Sequence, residues 1–249
     1  MNSEIGAFFD IDGTLVPSPS LEWRFIAFLL SRDEVRLRHA RAWAVNFLKQ
    51  LPHGWNAAAE SNKNYLAGSP VSLVQDWKDV AKCGSTSFQI PFFPGGIDRI
   101  IWHASQQHKI ILLTGTLQPL ARAAAEAIEQ ALASRGFCVS VDVIATRIES
   151  VNGFWTGRLV GEHMSGFAKA DAVHGISKTL GINLAKSYAY GDRWSDLPVL
   201  RAVGHPTAVN PGAALERIAC QSGWQIRRWR IAVAPAPPAQ GIPTLGGAR

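Results

Sequence analysis

Short apolar runs, each long enough for one strand and separated from the next by stretches of helical spacing, recur near residues 5–10, 109–114, 139–145, 186–190 and 206–209. Runs without polar alternation belong to strands buried on both faces. The stretches between them close on glycine where a helix would end. Pro119 to Arg135 stops at Gly136 and Ser165 to Leu180 at Gly181, with a shorter helix over Ser195 to Ala202. Strand, helix, strand with right-handed crossovers predicts an α/β fold built on a mainly parallel, doubly wound sheet. Asn152-Gly153, flanked by Ile148 and Phe154, instead predicts a hairpin.

Three of the strands end in groups able to do chemistry. The first runs through Phe8 and Phe9 into Asp10-Ile11-Asp12-Gly13-Thr14, the second into Thr114-Gly115-Thr116, and the fourth into Gly191-Asp192-Arg193-Trp194-Ser195-Asp196. Carboxyl ends of parallel strands line one edge of the sheet, where ligands bind. Lys169, near the start of a helical stretch, converges on the same edge. Side chains alternate along a strand, so Asp10 and Asp12 face the same way only if the chain bends at Gly13, which tolerates the bend. Two carboxylates about 4 Å apart repel by roughly 4 kcal/mol at an effective dielectric near 20. A divalent cation, a shared proton or a nearby lysine would offset that; the plainer alternative is a turn whose aspartates cap the next helix.

Taken in order, Asp10 to Thr14, Thr114, Lys169, and Gly191 with Asp192 and Asp196 resemble the motif set of the haloacid dehalogenase (HAD) superfamily of aspartyl-phosphate hydrolases, and within it the phosphoserine-phosphatase-like subfamily IB. The resemblance covers about residues 5 to 226. It implies a HAD-like Rossmannoid core with an inserted helical cap, and a Mg²⁺-dependent phosphatase hydrolysing a small phosphomonoester through an aspartyl-phosphate. It assigns Asp10 as nucleophile and Asp12 as the acid, then the base. Mg²⁺ falls to Asp10, Asp192 and the backbone carbonyl of Asp12. Thr114, Gly115 and Lys169 take the phosphoryl oxygens, and Asp196 orients Lys169 or a metal-bound water. In phosphoserine phosphatases a cap acid after the first motif holds the substrate amine. Here the nearest acid is Glu22, at an offset from Asp10 that does not match cleanly, so Glu22 and Arg24 also read as ordinary polar residues opening a cap helix. A phosphomutase or phosphotransferase of the superfamily would use the same residues. The absence of G-x-x-x-x-G-K-S/T argues against an ATP-driven kinase.

A chain of 249 residues with 47% apolar content suits one core plus an insertion. The expected division is a catalytic core over 1–17 and 94–226, a helical cap over 18–93 and a flexible tail over 227–249. In the cap, Ser31-Arg32-Asp33-Glu34 reads as a capping box opening a helix with Leu37, Ala40, Ala44, Phe47, Leu48 and Leu51 on one face. Pro52-His53-Gly54 would stop it. Ser69-Pro70 reads as an N-cap with proline at the first helical position, in a helix closed by Gly84. An apolar helix around Trp23 to Leu30 is also expected, well short of a membrane span.

The net charge of +6 belongs mainly to the chain's end, where Arg217, Arg227, Arg228, Arg230 and Arg249 follow Glu216 with no further acid in the sequence. From Ala232 onward, Pro, Ala and Gly predominate, with few large apolar residues to order the chain. A basic tail suggests the alternative of a non-catalytic module on nucleic acid; the favoured reading is a solvated end, with a small phosphorylated metabolite as partner and no specific nucleic acid. Met1 to Glu4 lacks signal-peptide character, and Cys83, Cys138 and Cys220 lack ligand spacing. They read as free thiols, explained by core packing, in a reducing cytoplasm. His39, His53, His103, His108, His163, His174 and His205 read as structural or surface residues. Arg193 and Trp194, bulkier than usual between the two acids, either shape the site or pack beside it.

Overall fold

The computed structural model describes residues 4–34, 37–50, 62–82 and 89–231. Six parallel strands form one sheet in the order β3-β2-β1-β6-β7-β8. They are β1 (Gly6–Phe9), β2 (Lys109–Leu117), β3 (Val141–Thr146), β6 (Tyr188–Gly191), β7 (His205–Val209) and β8 (Gln225–Arg227). The fully buried β1 lies between β2 and β6, with Phe9 in register with Leu112 and Tyr190. Asp10 and Asp192 therefore follow their strands along one edge of the sheet, beside Thr114 near the end of β2.

Alternation along β1 and β2 feeds two cores. Phe9, Ile110 and Leu112 pack with residues of α4 (Pro94–Ser105) and α5 (Gln118–Ala133). Phe8, Ile111 and Leu113 pack with residues of α6 (Phe167–Leu180), α7 (Leu197–Ala202) and α8 (Ala213–Gln221). At the centre Phe9 stacks on Tyr190 at 4.4 Å.

Before α4 come α1 (Leu21–Ser31), α2 (Leu37–Gln50) and α3 (Leu73–Lys82). Ser20 caps α1, its Oγ accepting from the Trp23 N–H. Phe25 on α1 meets Trp77 of α3 edge-on at 5.8 Å and Trp155 at 6.2 Å. Trp155 belongs to the hairpin of β4 (Ile148–Val151) and β5 (Phe154–Leu159), turned through Asn152 and Gly153, both with positive φ. Backbone bonds tie this hairpin to the chain before α3: Gly68 donates to Trp155 and Trp155 to Ser69.

Four local expectations need correction. Ser31 ends α1 instead of opening α2, because its hydroxyl donates to the Phe28 carbonyl. Ser69-Pro70 does not start α3: Pro70 bridges to Phe154, and helical geometry begins at Leu73. On α2, Trp43 stacks on Phe47 at 5.0 Å while Ala44 and Leu48 are exposed, so the inward face is rotated from the expected one. Cys138 and Cys220 are free but exposed, not packed in a core. Cys83, His53, Leu51, Gly84 and residues 232–249 lie outside the described residues. Ordered structure extends past 226: Arg228 pairs with Glu216 at 2.5 Å, and the Trp229 indole covers Gly95 and Gly96 so closely that a Cβ on Gly95 would fall 2.6 Å from it.

Candidate active site

Asp10 follows β1, where its N–H donates to the Tyr190 carbonyl at 3.0 Å. Its Oδ1 accepts from Lys169 Nζ at 2.7 Å, and the same ammonium reaches Asp196 Oδ1 at 2.7 Å. Lys169 sits in the first turn of α6; Asp196 lies in a 3-10 turn, Trp194–Asp196, after β6. The second Asp196 oxygen accepts from the Asp192 and Arg193 N–H groups at 3.2 and 3.1 Å. Asp196 is thus spent on fixing Lys169 and the loop after β6. Asp192 lies hard against the first turn, since a Cβ on Gly13 would fall 2.0 Å from its Oδ2. Gly13, at φ +93, supplies both the bend and the space.

The electrostatics follow from crowding three acids around one base. Burial opposes the charge on Lys169, but Asp10 and Asp196 outweigh it and hold the ammonium above the usual lysine range. Burial raises the Asp10 carboxyl well above its usual range despite Lys169, with Asp196 and Asp192 adding repulsion. Burial and Asp196 push Asp192 up to about 7. Asp10, Asp192 and Asp196 each offer an oxygen within 4.8 Å of the others. Because Asp196 is already committed, the remaining acceptors are on Asp10 and Asp192, whose other polar neighbours, Thr14 Oγ1 and Arg193 Nε, stand 3.5 and 3.6 Å from Asp192. An oxygen-only set, buried at Asp10 and partly exposed at Asp192, with excess negative charge fits a hard divalent cation.

Asp12 occupies a different environment. Its Oδ1 accepts from the Leu21 N–H at 2.8 Å, which anchors the start of α1, and its Oδ2 meets the Thr116 hydroxyl. Burial raises its carboxyl, with Thr116 and then Leu21 pulling the other way. Thr114 is buried, its Oγ1 accepting from the Thr116 N–H at 3.2 Å.

These groups open on a cavity of about 990 Å³. Asp10, Asp12, Thr114, Gly115, Lys169, Arg193 and Asp196 line its sheet side, and Glu22, Trp23, Trp43, Lys63 and Tyr65 line the side formed by α1, α2 and the turn after it. Trp194 is exposed and is not among the lining residues. His163, read from sequence as a structural or surface residue, lines the cavity beside Gly115, where burial, Lys63 and Lys169 push its imidazole down to about 4. Lys63 and Tyr65 carried no signal in the sequence, since tertiary packing alone brings them to Glu22. Thr116 was legible only as part of Thr114-Gly115-Thr116.

The sequence comparisons agree with this geometry. A family profile described as haloacid dehalogenase-like hydrolase matches residues 7–201, and the chain belongs to that family. Phosphoserine phosphatase SerB1 of Mycobacterium tuberculosis is 31% identical over 97% of this chain and 78% of that protein. A Bordetella pertussis protein of unknown function, solved as a crystal structure, superposes with a TM-score of 0.70 at 25% identity, over 91% of this chain and 99% of that one. A phosphoserine phosphatase solved as a phospho-aspartyl intermediate analogue shares the fold, with a TM-score of 0.59 at 19% identity over 92% of this chain and 95% of that one. The family and these relatives make the chain a phosphoserine-phosphatase-like HAD hydrolase.

Proposed function

We propose that the protein is a Mg²⁺-dependent phosphatase that hydrolyses a small phosphomonoester through an aspartyl-phosphate on Asp10, with helices α1–α3 as its cap. The observation that carries this is the division of labour between the two aspartates of the first turn. Asp10 is held by Lys169 at the focus of an acidic cluster, whereas Asp12 stands apart, proton-retentive and bonded to Thr116 and Leu21.

An Asp10 oxygen attacks phosphorus, and the bond to the leaving alcohol breaks as Asp12 gives that alcohol its proton. Asp12, now a carboxylate, takes a proton from the water that hydrolyses the aspartyl-phosphate, which frees Asp10 and releases phosphate. Lys169 and the Thr114 hydroxyl bind the phosphoryl oxygens. Asp10, Asp192 and the Asp12 carbonyl would hold Mg²⁺, which supplies positive charge against the phosphoryl group. The exposed free thiols of Cys138 and Cys220 suit a reducing compartment, in keeping with a cytoplasmic enzyme.

The test is phosphate release from p-nitrophenyl phosphate and a panel of metabolite phosphates, with Mg²⁺ or with EDTA. Release that requires Mg²⁺ and disappears in Asp10→Asn is expected. No metal-dependent release from any ester would overturn the proposal, and transfer to a second hydroxyl instead of water would redirect it to a phosphotransferase.

A further inference from the structure

The far wall of the cavity holds an ion pair that the phosphoryl chemistry does not use. Lys63 Nζ lies 2.7 Å from both Glu22 oxygens, and the Tyr65 hydroxyl donates to Glu22 Oε1 at 2.6 Å. The Lys63 side chain is 4% exposed and that of Glu22 17%. Burial, and then the Glu22 charge, holds the Tyr65 phenol well above its usual range, so it remains a donor.

The cluster is held in place by its surroundings. Lys63 precedes the 3-10 turn Asn64–Leu66. Asn62 braces that turn, donating to the Trp43 carbonyl at 2.8 Å and accepting from the Asn64 N–H at 3.2 Å. Lys63 and Tyr65 both line the cavity, as do Trp23, Trp43 and His163. Two of the three ammonium protons meet Glu22, and the third has no partner among the described residues.

We infer that Lys63, positioned by Glu22 and Tyr65, determines specificity, selecting phosphomonoesters whose alcohol carries a hydroxyl or carboxylate and rejecting those that carry an ammonium group. The inference rests on the phosphatase reading and specifies its substrate class. The Glu22 carboxylate already holds a cation of its own chain. A substrate ammonium would have to displace Lys63 or lie beside it, and like charges at that range repel. A hydroxyl or carboxylate instead accepts the remaining Lys63 N–H.

The decisive pair is 2-hydroxyethyl phosphate and O-phosphoethanolamine, which differ only in hydroxyl against ammonium. Their ratio of kcat/KM, measured on one preparation, cancels any general loss of activity. Wild type should favour the hydroxyl ester by about 10-fold or more, chiefly through KM. Lys63→Met should collapse or invert the ratio by leaving Glu22 to meet the amine, and Lys63→Arg should restore it. A wild-type preference for phosphoethanolamine would overturn the inference, even if Lys63→Met failed to fold, as would an unchanged ratio in folded Lys63→Met. Metal-dependent turnover of p-nitrophenyl phosphate in the same preparation separates these failures from failure of the phosphatase reading.

Discussion

Asp12 is the residue whose surroundings most directly tie the fold to the proposed chemistry. Its raised carboxyl is opposed first by the Thr116 hydroxyl. Thr116→Val removes that opposition and should carry the Asp12 pKa higher. The acid is needed in its protonated form, so the alkaline limb of the kcat/KM profile should move to higher pH, with kcat falling by about 10-fold or more as the carboxyl loses its alignment. Asp10→Asn should lower turnover by about 10³-fold or more, since an amide is neither nucleophile nor anion. Both effects are read from steady-state kinetics across pH. Asp10, Asp12, Thr114, Lys169, Asp192 and Asp196 could be picked out because each sits beside a strand end or early in a helix, where local sequence fixes position. Lys63, Tyr65 and His163 could not. Lys63 and Tyr65 reach Glu22 across about forty residues of chain, and nothing local to them specifies the meeting.

Among the elements, the β4–β5 hairpin supports the turn carrying Lys63. Gly157, at φ +83, lets β5 pass so close that a Cβ there would stand 3.0 Å from the Asn64 Cα. Gly157→Val should therefore destabilise the protein by about 1–3 kcal/mol and displace that turn. The expected readout is a lower Tm, with KM for 2-hydroxyethyl phosphate rising more than kcat falls. The hairpin was readable from Asn152-Gly153, as were the apolar strands. The edge strand β8 was not, because Gln225-Ile226-Arg227 offers one apolar residue and no period. The start of α2 was misread because Ser31 caps backward, onto its own helix. The α2 face was misjudged by counting alanine and leucine as inward without allowing for Trp43, whose large ring takes the packing position.

For the whole molecule, the acidic cluster should make stability depend on pH and, on the proposed reading, on metal as well. With its carboxyl raised to about 7, folded Asp192 retains a proton that the unfolded chain releases near pH 4. Its contribution is full below that unfolded value and is lost as pH rises through 7. In EDTA, the Tm of wild type should therefore fall between pH 5 and 8 relative to Asp192→Asn, which has no such proton to lose. Mg²⁺ at about a hundredfold excess over Kd should return about 2.7 kcal/mol to wild type, with its larger effect at pH 8, where the carboxylates are already free of protons. Calorimetry of both proteins with and without Mg²⁺ tests the sign. His163, held neutral at about 4, acts in the opposite direction and is common to both, so the comparison cancels it.

The Phe93 N–H donates to the Leu15 carbonyl at 2.8 Å, so the chain leaves the sheet's edge toward α1 and returns ahead of α4 through neighbouring backbone. Everything between forms a loop closed at its base. Such a loop can be lengthened, shortened or exchanged for another without rethreading any strand. For this protein, the wall bearing Glu22, Lys63 and Tyr65 should therefore be exchangeable independently of the floor bearing Asp10 and Lys169, provided the β4–β5 hairpin that supports the Lys63 turn travels with it. A transplant of residues 17–92 together with the hairpin of residues 148–159 into a relative tests that independence by asking whether the choice of alcohol travels with the transplanted segments.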